Sequence, residues 1–273
     1  MEPLPDDLRL GAVHLTVADA DRSVAWYQDV LGLVQHRRED GVSALGAGGE
    51  DLLVLREEPG ARPAGRHAGL FHFALLSPSR EALAQAVRRL ADARAAVDGA
   101  SDHGVSEAIY LRDPDGHGIE LYADRPRSAW PTPGGPGERV RMYTRALDVQ
   151  DLLATVDGEP TAARADPDLR MGHLHLHVGD LAAARAFYAD RVGLELMTTY
   201  PGALFLAAGG YHHHLGVNTW AGEGVGPAPH GTARLLEWTM VLDDPAPVRE
   251  RMGGEVAADP WGVRLRFARA AVR

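Results

Sequence analysis

The sequence predicts a mixed α+β chain built from four strand–helix–strand–strand–strand modules. Three observations carry that reading. Segments 13–33 and 174–194 align without a gap and share nine of 21 residues, so the chain is a duplication. Each copy opens on an alternating apolar run of strand period and continues into an amphipathic helix. An Asp-Pro-x-Gly turn recurs late in each half, at Asp113–Gly116 and Asp259–Gly262.

Each element has a local reason. Val13, Leu15 and Val17 alternate as one face of a strand. Asp19, and Asp180 in the second copy, stands where a helix needs a side-chain cap. The helices carry aromatic-Tyr pairs, Trp26-Tyr27 and Phe187-Tyr188, which read as core. Gly32 and Gly193 end them as C-cap glycines. Short strands such as Asp51–Leu55 and Ala203–Ala207 follow.

A weaker unit succeeds each strong one. Leu70–Leu76 reads as a buried strand, and Ser79 as the cap of a helix over Glu81–Ala93. Strands at Glu107–Leu111 and Ile119–Tyr122 flank the first Asp-Pro-x-Gly turn. In the second half the equivalents are Leu235–Leu242, a short helix near Val248–Met252, and Val263–Phe267. The modules span about 8–57, 66–124, 170–220 and 232–270. Modules 1 and 2 make a first repeat, 8–126, and modules 3 and 4 a second, 169–273, with module 4 shortened. A linker rich in Pro, Gly and Arg, 127–168, joins them. Two such modules side by side form a curved sheet around a cavity.

Composition narrows the function. At 273 residues and 45% hydrophobic, the chain can bury a real core. A net charge of −10 lacks the basic footprint of a nucleic-acid binder. Without cysteine, disulfides, thiolate catalysis and Cys-held metals are excluded. No run approaches the roughly 18 apolar residues of a membrane span. Met1–Arg9 has no apolar signal-peptide run, so the cytoplasm is the default expectation. The 13 histidines are the anomaly, because several cluster on apolar segments.

Three segments carry a resemblance over nearly the whole chain: His103–Pro126, Gly172–Leu181 and Ala208–Gly222. The first reads His103, Ile109-Tyr110, Asp113-Pro114-Asp115-Gly116, Glu120. This pattern resembles the vicinal-oxygen-chelate (glyoxalase/bleomycin resistance/extradiol dioxygenase) superfamily, and within it bacterial catechol-2,3-dioxygenase-type proteins. The resemblance implies two glyoxalase-like barrels of paired βαβββ modules. It also implies extradiol cleavage of a catechol-type diol by O2, with Fe(II) expected and Mn(II) or another divalent metal the alternative. The partners implied are a small aromatic substrate and O2, with neither nucleic acid nor membrane; a homo-oligomer stays open. Rival readings are a glyoxalase-like metal-dependent lyase or isomerase, and a small-molecule-binding resistance protein of the same fold.

Such iron sites are held by two His and one carboxylate on one face. In the family these stand on first and last strands of paired modules. Here the first-strand positions are His14, His72, His175 and Glu237, and the last-strand positions include Glu120, the Tyr211–His214 run and Arg266. Module 2 supplies both His72 and Glu120. Pairing it with module 3 adds His175, and pairing it with module 1 adds His14. The first set is favoured, because the family's acid/base histidine then falls on His213. Tyr110, supported by His103, is the expected hydrogen-bonding group. By strand alternation, His212 and His214 should point away from His213. The other barrel holds Glu237 and Arg266 in place of ligands, so an ion pair is expected there and no metal.

Overall fold

The computed structural model describes residues 3–135 and 137–271. Among them the strands form two large curled sheets, seven-stranded and nine-stranded. The seven-stranded sheet joins modules 1 and 4. Its centre is the antiparallel pair Arg9–Val17 and Leu235–Leu242. The nine-stranded sheet joins modules 2 and 3 around the antiparallel pair Gly69–Ser77 and Arg170–His177. Each sheet therefore takes one module from each repeat. Module 2 pairs with module 3, the favoured alternative.

The helices form where their caps stand. Asp19 accepts from the Arg22 N–H at 2.9 Å and Asp180 from those of Ala182 and Ala183. Ser79 does the same for Arg80–Asp92, accepting from Ala82 at 3.2 Å. Gly32 closes Ala20–Leu31 at φ 73°, a conformation that costs a β-carbon dearly. The tyrosines read as core are more than packing. The buried Tyr27 hydroxyl donates to Asp113 at 2.9 Å, and Tyr188 donates to Asp259 at 2.8 Å. The same aspartates accept backbone N–H groups inside their own turns. Each repeat helix is thus tied to the Asp-Pro-x-Gly turn of another module.

Several elements differ from expectation. The Asp51–Leu55 strand runs instead over Leu53–Glu57. The last strand of module 3 is Leu215–Asn218, so Tyr211–His214 is an irregular turn leading into it. The alternation expected for His212 and His214 fails for that reason, and all three histidines are buried. The linker is more ordered than its composition suggests. It carries a helix, Val149–Ala154, and a short strand, Arg145–Ala146, that extends the nine-stranded sheet. No helix among the described residues is long and apolar enough to cross a membrane.

In the seven-stranded sheet His14 pairs with Glu237, on the rung equivalent to His175 and His72 in the other. Glu237 is buried, and Arg266 donates to it at 2.6 Å as expected, while Arg264 lies 3.1 Å away. Burial pushes the His14 imidazole toward the neutral form, against the pull of Glu237. Two guanidiniums therefore answer one buried carboxylate. Arg266 has 34% of its side chain exposed, and Arg264 keeps its contact when Arg266 is removed. Arg266→Ala should therefore destabilise by about 1–2 kcal/mol, below the range for a fully buried pair. A thermal melt should show a drop of a few degrees with metal content unchanged. A parent-like melt would mean that the ion pair contributes nothing.

Candidate metal centre

The nine-stranded sheet brings its chemistry to one concave face. Ala74, on the first strand of module 2, sits opposite His173 on one side and Glu120 on the other. The small alanine side chain leaves the space above it to those two. His72 lies one same-face step along, opposite His175. The result is a buried cluster of His72, Glu120 and His173, with exposures of 6, 3 and 1%. One ligand-type atom from each lies within 4.8 Å of the others. Glu120 Oε2 stands 3.0 Å from His72 Nε2 and 3.1 Å from His173 Nε2.

The third member differs from the expected set: the structure gathers His173, rather than His175, with His72 and Glu120. Both face the cavity, but His175 is one rung further from Glu120. Its ring packs instead on His72, Phe71, Phe205 and Trp220 at 5.1–5.5 Å. Gly216 on the next strand makes room for that ring, since a β-carbon there would stand 2.8 Å from it. The alternative ligand, His14, lies in the other sheet and takes no part. His175 drew attention because the repeat matches it to His14. That copy holds Ala12 where His173 stands.

The cluster fits a divalent cation. Burial alone would raise the Glu120 pKa, yet the imidazoles of His173 and His72 hold its carboxyl well below the usual range. A bare buried carboxylate is costly, so it calls for a cation. Among the described residues, His173 Nδ1 and His175 Nε2 have no hydrogen-bond partner, and His72 Nε2 is near Glu120 without hydrogen-bond alignment. Burial pushes the His175 and His173 pKa values down, leaving neutral rings with lone pairs to donate. Two nitrogens and one carboxylate oxygen on one face suit a borderline divalent metal.

Around the cluster lies a cavity of about 380 Å³ lined by Tyr110, His103, His213, Phe71, Phe205 and Trp220 among others. The Tyr110 ring is on the rung opposite Glu120. Burial, with the charge of Glu120, pushes its phenol pKa well up, so the hydroxyl keeps its proton. His103 Nε2 is 2.7 Å from that hydroxyl, and His103 Nδ1 is 2.9 Å from the Tyr143 carbonyl. The carbonyl can only accept, so Nδ1 carries a proton, and in the neutral ring Nε2 is then free to accept from Tyr110. His213 stacks 4.1 Å from His173. Its Nδ1 is 2.9 Å from His212 Nδ1, and His212 Nε2 is 2.8 Å from Asp124. When the His212 ring is neutral, it donates to Asp124, His213 donates to His212, and His213 Nε2 keeps a free lone pair. Burial holds the His213 pKa well below its ordinary value.

Sequence reasoning missed Asp124 and His212 because the Tyr211–His214 run was taken as a strand. It also missed Met142 and Thr144, which line the cavity from the linker. Tyr200 donates to the Met142 carbonyl and Tyr143 to that of His103, so the linker straps across the opening.

Comparisons with known proteins agree with this geometry. Residues 9–121 match the Glyoxalase/Bleomycin resistance protein/Dioxygenase superfamily. A protein named catechol-2,3-dioxygenase from Bacillus subtilis (strain 168) is 42% identical over 247 residues, 89% of this chain and 85% of that one. Among solved structures, a putative dioxygenase from Bacillus subtilis superimposes with a TM-score of 0.65 at 13% identity, covering 97% of this chain and 86% of that one. Glyoxalase I from Zea mays superimposes at 0.57 with 17% identity, covering 95% and 92%. At such identities these two show the shared fold alone.

The buried histidines make acid the enemy of this fold. Burial pushes the His214 pKa from about 6.5 down to about 3, and its Nδ1 accepts from the Ala208 N–H at 3.2 Å. Below pH 6.5 the unfolded ring binds a proton that the folded ring refuses, so its stabilisation is lost as pH falls toward 3. His214→Asn removes this linkage while keeping an acceptor. In urea unfolding of metal-free protein, the variant should lose about 2 kcal/mol less than the parent between pH 7 and pH 5. Identical pH profiles would show that His214 is not buried as the neutral ring.

Proposed function

Because the chain belongs to the Glyoxalase/Bleomycin resistance protein/Dioxygenase superfamily, we propose that it is an extradiol dioxygenase that opens the ring of a catechol-type diol. The metal is a divalent ion, Fe(II) foremost, held by His72, Glu120 and His173. One observation carries the reading: this buried two-His, one-carboxylate cluster opens onto an aromatic cavity beside a neutral, oriented histidine. The relative named catechol-2,3-dioxygenase, alike over most of its length, supports the same reaction.

An iron(II) ion held by His72, Glu120 and His173 would supply a Lewis acid for the diol and the redox couple that dioxygen needs. The chain's own residues do the rest. His213 Nε2 has the lone pair to take a proton from the diol and return it later in the reaction. The chain Asp124–His212–His213 holds that ring in the one tautomer that leaves Nε2 free. Tyr110 donates to His103 and turns its oxygen lone pairs toward the diol, where it can accept a hydrogen bond. Phe71 and Phe205 flank the ring position and exclude water.

Two measurements test this. Metal analysis of anaerobically prepared protein should find about one ion per chain. Glu120→Gln and His173→Ala should purify nearly metal-free, while His175→Ala keeps its metal. Retention in His173→Ala with loss in His175→Ala would reverse the choice between the two histidines. His213→Ala should retain both metal and fold, with turnover of catechol under O2 reduced by roughly 10²–10⁴. Parent-like turnover in that variant would remove His213 from the reaction.

A further inference from the structure

The lining of the catalytic cavity also speaks to what the diol carries. All 28 Lys and Arg positions of this protein are arginine, and among the described residues none of them lines this cavity. Its one carboxylate, Glu120, stands at the inner end within the ligand cluster. Ser101, Ser106 and Thr144 are the other small polar groups in the lining. A substituent carboxylate pointing to the mouth would leave water and meet no guanidinium or ammonium there, an expensive exchange.

The outer part of the cavity is aromatic. Phe71 meets Trp220 edge-on, with centroids 5.6 Å apart at 87°. Trp220 packs on His175 at 5.3 Å, and Phe205 on Tyr200 at 5.5 Å. Trp220 is 51% exposed, an unusual state for the largest apolar side chain. It is nonetheless fixed, because its indole N–H donates to the Pro201 carbonyl at 3.3 Å and its backbone N–H to Asn218 at 3.0 Å. The 380 Å³ of space equals the liquid volume of roughly a dozen waters, more than a bare diol ring fills.

We propose that the diol taken by this site carries an uncharged, apolar substituent, aryl or branched alkyl, and that Trp220 and Phe71 pack on it at the cavity mouth. This rests on the dioxygenase reading and names its substrate class. A catechol whose substituent is a carboxylate is the disfavoured ligand. Trp220 is then a specificity-determining residue, separated from the His72–Glu120–His173 cluster by Phe71 and His175.

The test is calorimetric binding to iron(II)-loaded protein under argon, so that affinity is read without turnover. The probes are catechol, the tighter-binding isomer of 3- and 4-phenylcatechol, and 3,4-dihydroxybenzoate. Metal content is measured first. Phenylcatechol should bind about tenfold tighter than catechol, a reasonable yield for one well-packed aromatic contact plus its buried area. Dihydroxybenzoate should bind at least about tenfold more weakly than catechol. Trp220→Ala should remove most of the phenylcatechol advantage and leave catechol affinity within about twofold. Trp220→Arg, with folding checked by its thermal transition, should improve dihydroxybenzoate binding. The proposal is overturned if dihydroxybenzoate binds the parent as tightly as catechol, or if Trp220→Ala weakens catechol and phenylcatechol alike. If the metal-loaded protein binds none of the three diols, the dioxygenase reading falls and takes the proposal with it.

Discussion

The arrangement depends on one buried carboxylate. Glu120 lies on a strand whose neighbours along the chain, Ile119 and Leu121, are almost wholly inaccessible. Nothing in an apolar sheet can satisfy it except the groups that the sheet itself delivers. The parallel pairing of Gly118–Asp124 with Gly69–Ser77, and the antiparallel pairing of the latter with Arg170–His177, set Glu120 and His173 on opposite sides of Ala74. A one-residue slip in either register would turn one of them to the opposite face. The site therefore follows from strand register, and strand register follows from the two caps, turns and apolar faces that fix each module.

The second sheet shows the same constraint answered differently. It places a carboxylate, Glu237, on the rung equivalent to His72, with no histidine at the position of His173. Arg266 and Arg264 then take up the charge. A guanidinium cannot give up its proton to make room for a cation. The two sheets thus share a frame and differ in what neutralises the one buried acid. In one it is a pair of imidazoles suited to a metal, and in the other a pair of guanidiniums suited to structure. Both sheets keep the frame, and among the described residues the cluster that could hold a metal stands in one of them.

Much of the frame was legible in the sequence. The internal repeat, the capping aspartates, the Asp-Pro-x-Gly turns and the alternating apolar runs are local signals, and they placed the modules within a few residues. His72 and Glu120 were legible because one module carries both. His173 was not, because three alternating histidines, His173, His175 and His177, all share a face, and periodicity cannot say which rung meets Glu120. Only the cross-strand register decides that. Asp124 and His212 were hidden for a related reason. A run of apolar and aromatic residues such as Tyr211–Val217 has strand composition throughout, but the strand begins only at Leu215. The turn before it folds His212 back toward Asp124, a contact 88 residues distant in sequence. Linker residues Met142 and Thr144 carried no signal, since composition there spoke only of Pro, Gly and Arg.

These placements divide the site by rigidity. The His72–Glu120–His173 cluster stands on three hydrogen-bonded strands at the centre of the sheet, where geometry is hardest to perturb. His213 stands on an irregular turn. It is made rigid by side chains instead, through His212 and Asp124, and Asp124 also accepts from the Tyr211 hydroxyl at 2.9 Å. The outer wall stands on still less regular chain, with Trp220 just beyond a short strand and Met142 and Thr144 on the linker strap. Substitution at the wall therefore leaves the register of the central strands untouched, whereas a change at Ala74 or Gly216 would displace the ring that each accommodates. The geometry of the cluster is fixed by backbone pairing, whereas the outer lining of the cavity is set by side chains on segments that pairing does not constrain.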